Sequence, residues 1–75
     1  MIKVETKHGV LWRLSGRHGP RWYLAVPGCP DWRLELLDDR QLRGELSVNH
    51  AAVCSCGYHE THNFMEDIEA AGVSS

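Results

Sequence analysis

The chain has 75 residues, of which 43% are hydrophobic and 24% are charged. Chains divide into several domains only well above this length, so we predict one small domain over residues 1–75. The composition disfavours a wholly disordered chain, and no run approaches the roughly 20 apolar residues of a membrane-spanning helix. Residues 1–5 lack the basic stretch and apolar run of a signal peptide, so we expect a cytoplasmic protein with no membrane partner.

Charge is distributed unevenly along the chain. Residues 1–43 contain all eight Lys and Arg residues and five acids, whereas residues 44–75 contain five acids and no Lys or Arg. The two parts therefore carry net charges of +3 and −5. This asymmetry predicts a bipolar surface, which is one of the features of a binding protein.

Alternation of apolar and polar residues dominates the first two thirds of the chain. Five segments show it, separated by short turns: residues 2–7, 10–15, 21–26, 32–37 and 41–48. Short links between successive strands favour hairpins. We therefore predict a five-stranded antiparallel β-meander over residues 1–48.

The alternation also predicts which side chains face the core. In each strand the more apolar set of alternate residues is assigned to the core, and this set includes Trp12, Trp22 and Trp32. Tyr23 falls on the polar set of its strand. We therefore expect the three tryptophans inside and Tyr23 on the solvent-facing side of the sheet.

The pattern changes after Asn49. Residues 49–58 form a connector that carries two cysteines, and residues 59–72 have the spacing of a helix with an apolar face. Thr61 or Asn63 is expected to cap the N-terminus of this helix, and Gly72 to end it. The predicted fold class is therefore α+β, with one C-terminal helix.

The width of the predicted sheet raises the question of what covers it. Five strands at about 4.8 Å spacing are about 20 Å wide, whereas a helix is only about 10 Å across. Either the sheet curls around the helix, which we favour, or a second copy of the chain covers the remainder. For the oligomeric state, the sequence is compatible with a monomer and with a homodimer.

Cysteine and histidine residues cluster around the connector. The stretch reads Cys54-x-Cys56-Gly57-x-His59-x-x-His62, and Cys29 lies in a Pro-Gly turn. Structural zinc sites take four tetrahedral N or S ligands. We therefore predict a structural Zn²⁺ ion that joins the sheet to the helix. Five residues compete for the four places: Cys54, Cys56, His59, His62 and Cys29, with His50 as a lower-ranked sixth.

Other roles for the thiols stay open at this point. The cysteines could be small buried hydrophobic residues, or could take part in redox or intermolecular pairing. Three cysteines cannot pair completely, and disulfides are disfavoured in a reducing compartment. So small a domain usually needs an additional cross-link. We therefore prefer metal binding to these other roles of the cysteines.

Basic and aromatic residues of the N-terminal half predict a partner-binding surface. Tyr and Arg dominate protein–protein hot spots, and the predicted contact residues are Tyr23, Arg21, Arg13, Arg33 and Arg17. An alternative is that the Arg-rich sheet face and the loop of residues 17–21 bind nucleic acid. A solvated sheet face with cross-strand ion pairs is the third interpretation.

The sequence therefore predicts a non-catalytic, zinc-stabilised binding module or accessory regulator that acts through a protein partner. Nucleic-acid binding is the alternative. A small metal-dependent or thiol enzyme is disfavoured, because catalytic zinc needs an open position and a base. The stretch His59-Glu60-Thr61-His62 does not match the His-Glu-x-x-His pattern of zinc proteases.

Overall fold

The computed structural model describes residues 1–29, 34–52 and 54–73. Along the chain the elements are β1 (Ile2–Thr6), β2 (Gly9–Gly16), β3 (Gly19–Ala25), β4 (Leu34–Leu36), α1 (Asp39–Leu42), β5 (Val48–Asn49), a 3-10 turn (His50–Ala52), β6 (His59–Glu60) and α2 (Phe64–Ala70). Strands β1 to β4 form an antiparallel sheet in chain order, and β5 pairs with β6 in a separate two-stranded sheet. The predicted α+β class is confirmed.

The prediction of a fifth strand in the same sheet, over residues 41–48, is wrong. The chain forms the single helical turn α1 there, because Asp38 and Gln41 make a capping box. Gln41 N donates to Asp38 Oδ1 at 2.9 Å, and Asp38 N donates to Gln41 Oε1 at 3.0 Å. These bonds satisfy backbone N–H groups that a helix start would otherwise leave unpaired. Among the described residues the main sheet therefore has four strands.

The C-terminal helix is shorter than the predicted span of residues 59–72. It begins at Phe64, because the first residues of that span pair with β5 as strand β6. Of the two predicted caps, Asn63 is the one observed, since its Oδ1 accepts a hydrogen bond from Met65 N at 3.1 Å. Gly72 follows the helix with φ +77°, the left-handed conformation in which glycine commonly ends helices.

Two-residue loops join β1 to β2 and β2 to β3. Thr6 pairs with Gly9, and Gly16 pairs with Gly19. Gly9 has φ +133°, and a Cβ there would lie 2.8 Å from Leu24 Cδ1 and 2.9 Å from a backbone carbonyl oxygen, so this position needs glycine. Because a loop of fixed length determines which residues lie opposite one another, these turns set the register of the sheet.

One face of the sheet, the core face, packs against the helices. The register places Val4 opposite Leu11 and Leu11 opposite Leu24, and all three side chains are buried. Phe64 and Ile68 of α2 are also fully buried. The complete core is Val4, Leu11, Trp22, Leu24, Val26, Leu37, Leu42, Val48, Phe64 and Ile68.

The opposite face of the sheet, the outer face, is also rich in apolar residues. Side chains alternate between faces along a strand, so the register assigns to it Lys3, Glu5, Val10, Trp12, Leu14, Arg21, Tyr23, Ala25, Leu34 and Leu36. The prediction that Trp12 lies in the core is therefore wrong. Trp22 is buried as predicted, and Trp32 lies outside the described residues. Within the described ranges, no helix combines the length and apolarity needed to cross a membrane.

Candidate metal centre

Strands β5 and β6 form the base of a hairpin whose loop, residues 50–58, carries a histidine and two cysteines; we call it the cysteine loop. Two backbone hydrogen bonds fold this loop back on itself. Ala51 N donates to the Tyr58 carbonyl at 3.0 Å, and Cys54 N donates to the His50 carbonyl at 3.0 Å. Cys56 follows in the same loop, just before Gly57, which has φ +79°. The fold of the loop therefore turns three potential metal ligands back towards one another.

The third cysteine comes from a different part of the chain. Cys29 lies in the turn after β3, where its N–H donates to the Val26 carbonyl at 3.1 Å. Its sulfur lies 3.4 Å from Cys54 Sγ, although the two residues are 25 positions apart in sequence. Cys29 and Cys56 both pack against the edge of the core. The turn after β3 therefore meets the cysteine loop through these side chains.

The ligand atoms of Cys29, His50, Cys54 and Cys56 all lie within 4.8 Å of one another. A tetrahedral zinc ion with Zn–S bonds of about 2.3 Å separates its sulfur ligands by about 3.8 Å. The cluster therefore has a size and a set of donor types that are compatible with a metal site. In the part of the chain that the structure describes, it is the one group of at least three such residues with this spacing.

His50 is the donor whose surroundings are most informative. Its side chain is 6% exposed, and its Nδ1 lies 3.1 Å from Glu35 Oε2, on the core-facing side of β4. An ionised carboxylate can only accept, so in the neutral ring this contact places the proton on Nδ1 and the lone pair on Nε2. Nε2 is buried, and among the described residues it is the one buried side-chain N or O without a hydrogen-bond partner. A carboxylate behind the ring and a free inner nitrogen are the usual arrangement of a metal-binding histidine.

The thiols perturb one another strongly. Burial, and then hydrogen bonds and charge from the two other cysteines, raise the pKa of the Cys29 thiol to about 12. The pKa of Cys54 is lowered to about 7, first by the Cys56 backbone N–H and then by the Cys29 side chain. Three sulfurs so close together cannot all ionise unless a cation neutralises them, and a bound divalent metal deprotonates such thiols outright.

The structure brings the three predicted cysteines together with His50, but it does not bring His59 or His62 to them. His59 is exposed, with Nε2 3.2 Å from Ser47 Oγ. His62 Nε2 lies 2.6 Å from Asp67 Oδ2, and its ring contacts that of His8 in a tilted arrangement, with 4.1 Å between centroids. The predicted helix start at residue 59 would place both on the first turn, but the helix begins at Phe64. The cluster consequently joins the cysteine loop to the turn after β3, not the sheet to the terminal helix.

Among the ligands predicted from the sequence, His50 has the lowest rank, and Glu35 is not predicted to be part of the site. The sequence nevertheless contains one feature that points to His50 and one that points to Glu35. His50 precedes Cys54 by four residues and Cys56 by six, so a single short loop holds three donors. Glu35 is an acid between two leucines in an apolar strand, and a charged residue facing a core needs a specific partner.

The residues of the predicted partner surface do not share one face. Arg13 is on the core-face side, with its guanidinium 5.9 Å from the centre of the Trp22 ring. Arg21 and Tyr23 are on the outer face. Arg17 lies in the exposed loop between β2 and β3. Arg33 lies outside the described residues.

No family model matches the sequence, and no curated protein and no solved structure matches it significantly. The functional inference therefore depends on the geometry of the Cys₃His cluster.

Proposed function

We propose that this chain is a non-catalytic binding module stabilised by one structural zinc ion, which Cys29, His50, Cys54 and Cys56 hold. Zinc is the metal that this donor set fits best, because thiolates and a neutral imidazole in tetrahedral arrangement are its usual structural ligands. Thiolate ligands also require reduced cysteines, in keeping with the cytoplasmic location expected from the sequence.

The observation that carries the proposal is the buried, unpartnered Nε2 of His50 beside three sulfurs. Leaving a buried polar atom unpaired costs about 1–3 kcal/mol, and a metal ion at this position removes that cost. The Glu35 carboxylate holds the ring in the tautomer that can bind metal. Four protein ligands fill a tetrahedron, so no position remains for substrate or water, which supports a structural rather than a catalytic role.

The proposed ion would connect two segments that are far apart in the sequence. One is the turn after β3 with Cys29, and the other is the cysteine loop, which β5 and β6 close. Structural zinc in small domains contributes on the order of 10 kcal/mol at neutral pH. That is comparable to the whole stability of a typical domain of this size.

A protein partner stays the preferred target of the module, with Tyr23 as the predicted contact residue. Nucleic-acid binding by a sheet needs basic side chains presented together, and the described arginines point to different sides of the molecule. Titration with duplex DNA, single-stranded DNA and RNA at low salt distinguishes the two. We expect no binding; binding that weakens linearly with the logarithm of salt concentration would reverse the preference.

Elemental analysis and native mass spectrometry of the purified chain test the zinc proposal. We expect one zinc per chain, loss of the cooperative thermal transition in strong chelator, and its return when zinc is added back. Native mass spectrometry also reports whether the chain is a monomer or a homodimer. A metal-free protein that melts identically with and without chelator would refute the proposal.

Two matched histidine variants identify the nitrogen ligand. His50→Ala should abolish stoichiometric zinc binding, whereas His59→Ala, at an exposed side chain, should keep it. Both variants remove one imidazole from the same hairpin, so a general effect of the substitution would appear in both. Zinc loss in His59→Ala with retention in His50→Ala would show that the ligand set is different.

A further inference from the structure

Two sulfurs of the cluster that come from different segments are in contact, and all three sulfurs lie within 4.8 Å of one another. Cys29 Sγ and Cys54 Sγ are 3.4 Å apart, and they belong to segments that are 25 positions apart. The remaining thiol, Cys56, is separated from Cys54 by a single residue in the same loop. All three cysteines are half-buried, so a small oxidant can reach them from solvent. We infer that Cys29 and Cys54 form a redox switch, in which oxidation by a peroxide joins them in a disulfide and releases the zinc ion. This inference rests on the proposed zinc site.

The reaction balances with hydrogen peroxide as the oxidant. One sulfur of the pair attacks the peroxide, forms an S–O bond as the O–O bond breaks, and becomes a sulfenic acid while the other oxygen leaves as water after protonation. The second thiolate attacks the sulfenic sulfur, forms the S–S bond and expels the second oxygen, also as water. Two thiolates, one peroxide and two protons thus give one disulfide and two waters. The sulfurs lose two electrons, and zinc leaves as Zn²⁺.

Zinc release follows from the loss of ligands. A disulfide between Cys29 and Cys54 removes two of the four donors and leaves only Cys56 and His50. Two neutral or singly charged donors are fewer than the three or four that zinc sites in proteins employ. The same oxidation that makes the disulfide therefore opens the metal site.

The disulfide would connect the same two segments as the ion. It would span the turn after β3 and the cysteine loop, because those segments carry Cys29 and Cys54. Oxidation therefore exchanges one cross-link for another, and the fold should persist while the metal is lost. A bond between Cys54 and Cys56 would not have this property, since both belong to one loop.

The test is titration of the zinc-loaded, full-length chain with hydrogen peroxide in the presence of a chromogenic zinc chelator. We expect one equivalent of zinc released per disulfide formed, together with a mass loss of two hydrogen atoms per chain. Trypsin then gives a diagnostic product. Residues 44–75 contain no Lys or Arg, so the peptide of residues 44–75 should be linked to that of residues 22–33, which carries Cys29. Treatment with a dithiol and zinc should restore the loaded protein.

Two cysteine variants serve as a matched pair, because each removes one ligand. Cys56→Ser keeps the contacting thiols and should still form the link between the two tryptic peptides. Cys29→Ser should never form it. Fragmentation of the linked wild-type peptides identifies the bridging cysteine directly, so the result does not depend on the variants folding.

Each outcome is informative. Zinc release with a Cys54–Cys56 disulfide, with intermolecular disulfides or with over-oxidised sulfur would overturn the inference, as would zinc that stays bound after the disulfide has formed. Zinc content is measured before peroxide is added. A chain that binds no zinc therefore refutes the proposed function and the release step together. A zinc-loaded chain that fails to link Cys29 to Cys54 refutes the switch alone.

Discussion

Replacing Glu35 tests whether the carboxylate behind His50 supports metal binding. The side chain of Glu35 is 30% exposed and that of His50 is 6% exposed, and Glu35 Oε2 lies 3.1 Å from His50 Nδ1. Zinc withdraws electrons from the imidazole and makes its Nδ1–H a stronger donor, so the carboxylate stabilises the zinc-bound form more than the free form. Loss of such a supporting residue typically lowers metal affinity about 10- to 100-fold, or roughly 1.4–2.8 kcal/mol.

The two ends of this range correspond to two substitutions. Glu35→Gln keeps an oxygen that can accept from Nδ1–H but removes the negative charge, so we expect about a tenfold loss of affinity. Glu35→Ala removes the acceptor and leaves a buried N–H unpaired, so we expect about a hundredfold loss. Glu5→Gln is the matched control, because Glu5 is 77% exposed and lies on the outer face.

Zinc affinity is measured by competition with a chromogenic chelator of known affinity. The ¹⁵N spectrum of His50 gives a second readout, since it reports which ring nitrogen carries the proton. In the wild type we expect the proton on Nδ1, and in Glu35→Ala a mixture of tautomers in the metal-free protein. If both variants bind zinc as tightly as the wild type and keep the same tautomer, then the Glu35–His50 contact does not support the site.

Three further predictions concern the thiols, the turns and the register. Zinc must displace the proton that the Cys29 thiol holds at neutral pH, since the pKa of this thiol is raised to about 12. The affinity for zinc should therefore rise about tenfold per pH unit for each proton displaced. A zinc affinity that stays constant between about pH 6 and 8 in the chelator competition would contradict this. Gly9→Ala places a methyl group 2.8 Å from a side-chain carbon at a residue with φ +133°. It should lower the free energy of unfolding, measured in urea, by about 1–3 kcal/mol. Gly16→Ala should leave this free energy nearly unchanged, because a Cβ at Gly16 meets nothing within 4 Å. Leu11→Ala, at a fully buried residue, should cost about 2–5 kcal/mol. Leu14→Ala on the outer face should cost about 1 kcal/mol, and equal losses would mean that the register is different.

Alternation predicts the positions of β1 to β4, but it assigns the wrong face to β4, where Leu34 and Leu36 lie on the outer face, and to β2. The apolar residues of this strand fall on both sets of alternate positions, and assigning the larger set to the core selected Val10, Trp12 and Leu14. The length of the turn between β1 and β2 determines which face of β2 is buried. Once Lys7 and His8 are taken as a two-residue loop, Val4 must lie opposite Leu11.

The false fifth strand has a similar explanation. Residues 41–48 alternate well enough to resemble a strand, but Asp38 and Gln41 carry the signature of a helix start. Local hydrogen bonding of the cap prevailed over the period-two pattern. In a short segment the capping signal is the more specific of the two, because it requires particular side chains at particular positions.

The sequence predicts the cysteines of the candidate site, but it ranks His50 below His59 and His62. Cys54 and Cys56 are found by spacing, and Cys29 by its turn, because small loops can direct sulfurs to one point. The histidines were assigned by assuming that the helix begins at residue 59. Glu35 and His50 meet only through the tertiary fold, at a sequence separation of 15, so no local pattern joins them.

The spacing of the four donors also determines the order in which the centre can assemble. His50, Cys54 and Cys56 lie within one short loop, and closing a segment of about ten residues takes about 10–100 ns. Cys29 must arrive across a much longer stretch of chain, which is slower and entropically more costly. An ion captured early by the hairpin would therefore act as a nucleus that recruits the turn after β3. Later local opening of that turn would leave the ion attached to the hairpin.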